Sequence, residues 1–297
     1  MAALEGSWPL RAAWLALAVV GAPALAGALD DASGPVQLTA GVGLWGGWLV
    51  ALVAMLVPST TSLTVVRVAG PAAVAATVAA ALRGPAGADD VAAVAAGVAA
   101  AVAALAATTT DAFVDGSSYG NERRLALATP TALRFGPVPL AWALTVGLPA
   151  GAALTLAARQ WGLGAALSVA AAGVLCLTVP ALHRLSRRWV VFVPAGLVVH
   201  DPLALAEPVL LRRAEVRRIG PVPADAAIEG AIDLTGRAAG LVLEITLDEP
   251  AELALPPPGP RHRGRPEVVR ADRILITPLR PGALLAEAQG RRLPVGT

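Results

Sequence analysis

Six apolar stretches fill the first 182 residues, and a bilayer core of about 30 Å is crossed by roughly 20 mostly apolar residues in a helix. Val138–Ala158 and Leu163–Leu182 meet that length plainly, joined by the polar turn Arg159-Gln160 with Trp161 at the expected interface. Trp8–Leu29 and Gly41–Val57 meet it near the start, separated by Asp30-Asp31. Thr64–Leu82 and Val91–Ala107 lie between these pairs and are rich in Ala, so they are the weaker spans. The apolar excess is local. Residues 1–182 carry seven Arg and eight acids, whereas residues 183–297 carry sixteen Arg and thirteen acids. That step predicts an α-helical membrane bundle of about six transmembrane helices over 1–182, followed by a water-soluble domain over 183–297.

Sidedness follows from the arginines. Dropping both weak spans changes the helix number by two, so the chain ends stay on one side. With six spans, Arg11, Arg67, Arg123, Arg124, Arg134, Arg184, Arg187 and Arg188 fall on that side. Arg83 and Arg159 fall on the other, beside Asp30, Asp31, Asp89 and Asp90. The positive-inside rule then predicts both termini in the cytoplasm. All 23 basic residues are Arg, a coding bias expected of a GC-rich, actinobacterial genome, which places the chain in a bacterial plasma membrane. The rival reading makes Ala24-Leu25-Ala26 a signal-peptide cleavage site; Glu5 and the length of the span oppose it, and later helices keep their orientation either way. Trp8, Trp45, Trp48, Trp142, Trp161 and Trp189 are expected at helix ends, as an aromatic belt.

Chemistry-bearing residues are sparse. Cys176 is the only cysteine, and His183, His200 and His262 lie too far apart for a metal site, so no cofactor is expected. Arg67 is the one intramembrane charge, placed where it reaches the interface by snorkelling. Gly97 and Ala101 have the spacing of a close helix contact, but chance alone produces it in so Ala-rich a segment. Gly116-Ser117-Ser118-Tyr119-Gly120 matches the G-x-S-x-G nucleophile elbow, which requires a strand before the serine and a helix after it. Here the motif lies in a loop between membrane helices with no His nearby, and a Gly/Ser turn is the plainer reading. The same loop, Asp111 to Arg134, carries Arg123 and Arg124, candidates for lipid headgroups or for acids of the C-terminal domain.

The C-terminal part opens with a basic cluster, Arg184, Arg187 and Arg188. Trp189–Val193 and Leu197–His200 flank Pro194-Ala195-Gly196 as a hairpin. Val209–Arg212, Val216–Ile219, Leu241–Leu247, Glu252–Leu255 and Arg273–Thr277 are further strands, and Pro281 opens a final helix. In Leu241–Leu247, alternation sets Leu241, Leu243, Ile245 and Leu247 on one face. Arg261, Arg263 and Arg265, in the Pro-rich insertion 256–266, are candidates for anionic headgroups. The domain's net charge of +3, without aromatic platforms, argues against nucleic acid.

The run from Val190 to Asp201, the segment Arg213–Ile219, and Ile274–Pro278 leading into Pro281–Leu285 resemble bacterial pleckstrin-homology-like (PH-like) domains attached to membrane helices. The resemblance covers roughly 187–292 and implies a small, mainly β barrel with a C-terminal helix. It also implies a binding or scaffolding module, not an enzyme. The stretches 220–240 and 256–266 depart from the pattern, and no ligand-binding residues carry over. The expected function is a non-enzymatic membrane scaffold or regulator whose PH-like domain meets a headgroup or another protein. A transporter or channel subunit is second, and a membrane serine hydrolase using Ser118 third.

Overall fold

The computed structural model describes residues 6–83, 87–222, 230–257 and 265–296. Glu5, Arg261 and Arg263 therefore lie outside the described residues. The chain divides into two compact units: residues 1–116 with 138–183, and residues 117–137 with 184–297.

Among the described residues the first unit holds six helices long and apolar enough to cross a membrane: α1 (Trp8–Gly27), α2 (Gly34–Leu56), α3 (Thr60–Ala81), α4 (Ala88–Leu105), α7 (Pro137–Ala157) and α8 (Trp161–Ser186). Their number agrees with expectation, including both Ala-rich spans. Their starts follow capping chemistry. Pro sits in the first turn of α1 and α2, where its missing N–H costs nothing. Ser59 caps α3 by accepting from the Ser62 N–H at 3.1 Å. Asp89 and Asp90 occupy the first turn of α4, where the helix dipole favours anions.

α2 begins at Gly34, seven residues earlier than the expected Gly41 and with Pro35 in its first turn, which moves Trp45 and Trp48 from the helix end to its middle. They do not form a belt there. The Trp14 indole N–H donates to the Trp48 carbonyl at 3.0 Å, and that of Trp48 donates to the Trp14 carbonyl at 3.1 Å. The small residues of α3 and α4 are also more than compositional noise. A Cβ on Gly97 would lie 2.9 Å from the Thr77 hydroxyl, and one on Gly70 3.1 Å from the Ala101 Cα. These glycines let two backbones approach as they must where lipid supplies no hydrophobic drive.

The segment expected to be a long loop is structured. It contains α5 (Ala107–Asp115), strand β1 (Arg123–Ala126) and the short helix α6 (Thr131–Phe135). β1 belongs to the second unit, so the sequence boundary at residue 182 places 117–137 with the membrane helices, whereas the fold places it with the β strands.

The second unit has two four-stranded sheets. One has the order β1-β2-β3-β4, with β2 (Trp189–Val193), β3 (Gly196–His200) and β4 (Val209–Arg212), every pair antiparallel. The other has the order β5-β7-β8-β6, with β5 (Val216–Pro221), β6 (Ile232–Asp233), β7 (Leu243–Leu255) and β8 (Glu267–Ile276); β6 runs parallel to β8. Together with α9 (Pro281–Gly290), they enclose one core that includes Leu125, Phe192, Leu211, Ile245, Ile274 and Leu284. Among the described residues the sheets do not close into a barrel. Two expected strands, 241–247 and 252–255, are one strand whose register shifts between Thr246 and Ala251, where Pro250 has no N–H for the ladder. Leu241 precedes that strand and is 48% exposed, against the buried place that alternation assigns it.

The segment after β1 stitches both sheets. Leu127 N–H donates to the Arg188 carbonyl at 3.0 Å, Ala128 N–H to the Thr277 carbonyl at 2.8 Å, and Leu279 N–H to the Ala126 carbonyl at 2.9 Å. Leu125 is a core residue of the β unit although its codon lies between two membrane helices. Leu125→Ala is expected to cost about 2–5 kcal/mol, as for a buried leucine. Loss of hydrogen-exchange protection in Trp189–Val193, 64 positions or more away in sequence, is the measurement; unchanged protection would place Leu125 outside that core.

Candidate functional site

Arg188 leads β2 and is 2% exposed, so its charge has little water. A buried guanidinium needs acceptors for its fork of donors. Its Nε donates to Asp201 Oδ1 at 2.9 Å and its Nη2 to Oδ2 at 2.6 Å, a bidentate pair. Nη1 donates to the Ala128 carbonyl at 2.5 Å, and Nη2 also reaches the Leu234 carbonyl at 3.3 Å. Asp201 completes its shell by accepting from the Leu203 N–H at 3.0 Å. Arg188 is thus withdrawn from the headgroup- and partner-binding set in which the sequence places it. It joins the β1 segment, β2, the end of β3 and the turn after β6.

Around this pair lies a second layer. Register pairs Trp189 with His200 and with Ala126, and Arg124 with Val191, so these side chains share one face of the first sheet. The Trp189 and His200 rings stack with centroids 4.6 Å apart. The Arg124 guanidinium lies 5.7 Å from the Trp189 ring centroid and donates to Glu122 at 3.2 Å. Partial burial holds the His200 imidazole below its ordinary pKa of 6.5, helped by the charges of Arg187 and Arg124 and opposed by Asp201. His200 and Asp201 carry no role in the sequence reading, and Trp189, expected in an aromatic belt, is instead the first residue of β2. Only strand pairing joins them to Arg124, which lies more than 60 positions upstream.

The remaining candidates are dispersed. Arg123 opens β1, half-buried, opposite Phe192. Arg184, in the last turn of α8, and Arg187 are exposed, as is Arg265 just before β8. Arg67 lies in the first half of α3, and its Nη2 donates to the Thr110 hydroxyl of α5 at 3.0 Å. Beside Thr110 sits Asp111, 2% exposed, a buried acid that a loop reading of 111–134 does not anticipate. Thr64 and His183 Nδ1 lie 3.1 Å apart in the same unit. Ser118 follows a helix and precedes a strand, the reverse of a nucleophile elbow. The first glycine of its motif, Gly116, has a packing reason instead, since a Cβ there would lie 2.5 Å from the Pro58 carbonyl oxygen.

Two outcomes are expected of this arrangement. Asp201→Asn leaves a buried guanidinium without its counter-charge and should destabilise the β unit by about 3–5 kcal/mol, whereas Arg188→Met with Asp201→Leu recovers part of that loss. Denaturant midpoints of the full chain in detergent distinguish the two. Because the folded pKa of His200 is depressed, the unfolded chain binds more protons just below pH 6.5, and stability falls as pH drops through that window. His200→Gln should flatten this part of the profile; an unchanged slope would remove His200 as its source. Comparison of the chain with protein-family models, with curated proteins and with solved structures found no match.

Proposed function

We propose that this chain is a non-enzymatic scaffold or regulator that holds a β binding module against the cytoplasmic face of a bacterial plasma membrane. The observation that carries this reading is the insertion of β1 into the first sheet. The main chain passes between the two units three times, near residues 116, 137 and 183, instead of once. A module joined at three points is restrained at the bilayer far more than a domain on a single tether, and a presented binding surface benefits from that pre-organisation. The cytoplasmic side is supported by the arginine asymmetry.

The module is PH-like in this reading. Its support is the opening hairpin Trp189–His200, the two packed sheets and the final helix α9 on their shared core. The exposed Arg184, Arg187 and Arg265 meet an anionic headgroup or an acidic protein surface, each cation worth about 1 kcal/mol close to such a surface. The test uses the full chain, because residues 187–297 alone lack β1. A photo-cross-linker at Arg187 or Arg265 should capture one discrete membrane or cytoplasmic protein, or an anionic lipid, and 0.5 M salt, on the order of a fourfold shorter screening length than dilute buffer, should weaken the capture. Recovery of neither would sink the scaffold.

A second reading, a transporter or channel subunit, is favoured by Arg67, Thr110 and the buried Asp111 within the helical unit. Arg67→Leu abolishes ion or solute flux in proteoliposomes on that view and leaves it untouched on the first.

A further inference from the structure

The helical unit forms a half-open cavity of about 750 Å³, lined mainly by α1, α2 and α3, with Thr145, Val146 and Val179 of α7 and α8 on a fourth side. Such a volume falls within the range of about 300–1,000 Å³ typical of small-molecule sites. Its helical walls are almost wholly apolar, and the polar side chains on them are engaged. The Trp14 and Trp48 indoles donate to each other's backbone carbonyls, and the Thr77 hydroxyl donates to the Ala73 carbonyl at 3.0 Å. Water therefore finds few partners along the helical walls, which suit an apolar occupant better. Left empty, the cavity would also forfeit the dispersion contacts of its whole lining. Along α1 the lining runs from Trp14 to Ala26, roughly 18 Å of helix axis at about 1.5 Å per residue. Half of a hydrocarbon core is about 15 Å.

One mouth of the cavity is polar. Asp30 belongs to the lining there, Asp31 follows it, and both carboxylates are exposed with no ion-pair partner among the described residues. Gln37, also at that mouth, is committed to the Leu29 and Asp30 carbonyls at 3.0 and 3.2 Å. An occupant with a long apolar tail and a cationic head matches this chemistry at both ends. We propose that the cavity binds one acyl chain of an amine-headed phospholipid, with its ammonium at Asp30 and Asp31. The proposal stands apart from the scaffold reading and needs only that the six helices lie in a bilayer.

Three glycines of α2, Gly41, Gly43 and Gly47, line the cavity, and a Cβ on any of them meets nothing within 4 Å. Gly46 is equally unobstructed but is not part of the lining. The difference makes an internal control. The full chain is equilibrated with equal amounts of phosphatidylethanolamine and phosphatidylglycerol, and its retained lipid is read by native mass spectrometry. The expected result is one phosphatidylethanolamine per chain. Gly47→Leu, and independently Gly43→Leu, should cut its occupancy about tenfold, equivalent to about 1.4 kcal/mol, while Gly46→Leu keeps it. Asp30→Asn with Asp31→Asn should retain a lipid but lose the preference for ethanolamine. Helicity by circular dichroism checks that each variant is folded. No retained lipid, equal loss in the Gly46 and Gly47 variants, or a preference for the glycerol headgroup overturns the proposal.

Discussion

A charge without water must be given partners by the fold, and Arg188 is where that demand organises the β unit. Its four acceptors come from Asp201, Ala128 and Leu234, three stretches of chain with no proximity in sequence. The desolvation cost of a buried ion pair can exceed its Coulomb gain, so such a pair is not a cheap source of stability. What it confers is uniqueness: the guanidinium is satisfied only when the β1 segment, β2, the end of β3 and the turn after β6 are all in register. A one-residue slip of β2 would carry Arg188 to the opposite face and strand its charge.

The membrane unit is organised by the opposite condition, in which no solvent waits for an unpaired group. Hydroxyls there turn back on their own helices, as Thr64 does to the Thr60 carbonyl and Thr155 to that of Gly151. Close packing is concentrated among α1, α3 and α4, where small residues meet. α7 and α8 stand looser, held together in part by the Thr145 and Thr178 hydroxyls at 2.7 Å. That uneven packing leaves room beside α2.

Much of this was legible in the residues, and what was not had one cause. The six spans, the hairpin at Pro194-Ala195-Gly196 and the final helix at Pro281 are local signals, written in apolar runs and turn chemistry. β1 had none to offer: Arg-Arg-Leu-Ala is four residues long, with no strand-like alternation to separate it from a positively charged loop. Its pairing with Val190–Phe192 is a non-local fact, and everything dependent on it was hidden as well. Arg188 reads as one more juxtamembrane cation because two of its acceptors are carbonyls, which any sequence possesses, and its carboxylate partner Asp201 meets it only across the hairpin. Trp189 and His200 looked like strand residues because their stacking exists only across the ladder. The Thr110 partner of Arg67 is hidden for the related reason that α5 lies in an apparent loop.

The position of β1 also ties the making of the two units together. Translation delivers Arg123–Ala126 before α7 and α8, and long before β2. During that interval the nascent strand has no sheet to join, and its pairing partner follows only after two more apolar helices have been synthesised. Were only one helix of that pair to insert, β1 and β2 would emerge on opposite sides of the membrane and the first sheet would lose its edge strand. A complete β unit is therefore a record that α7 and α8 crossed the bilayer as a pair, written in the four residues of β1.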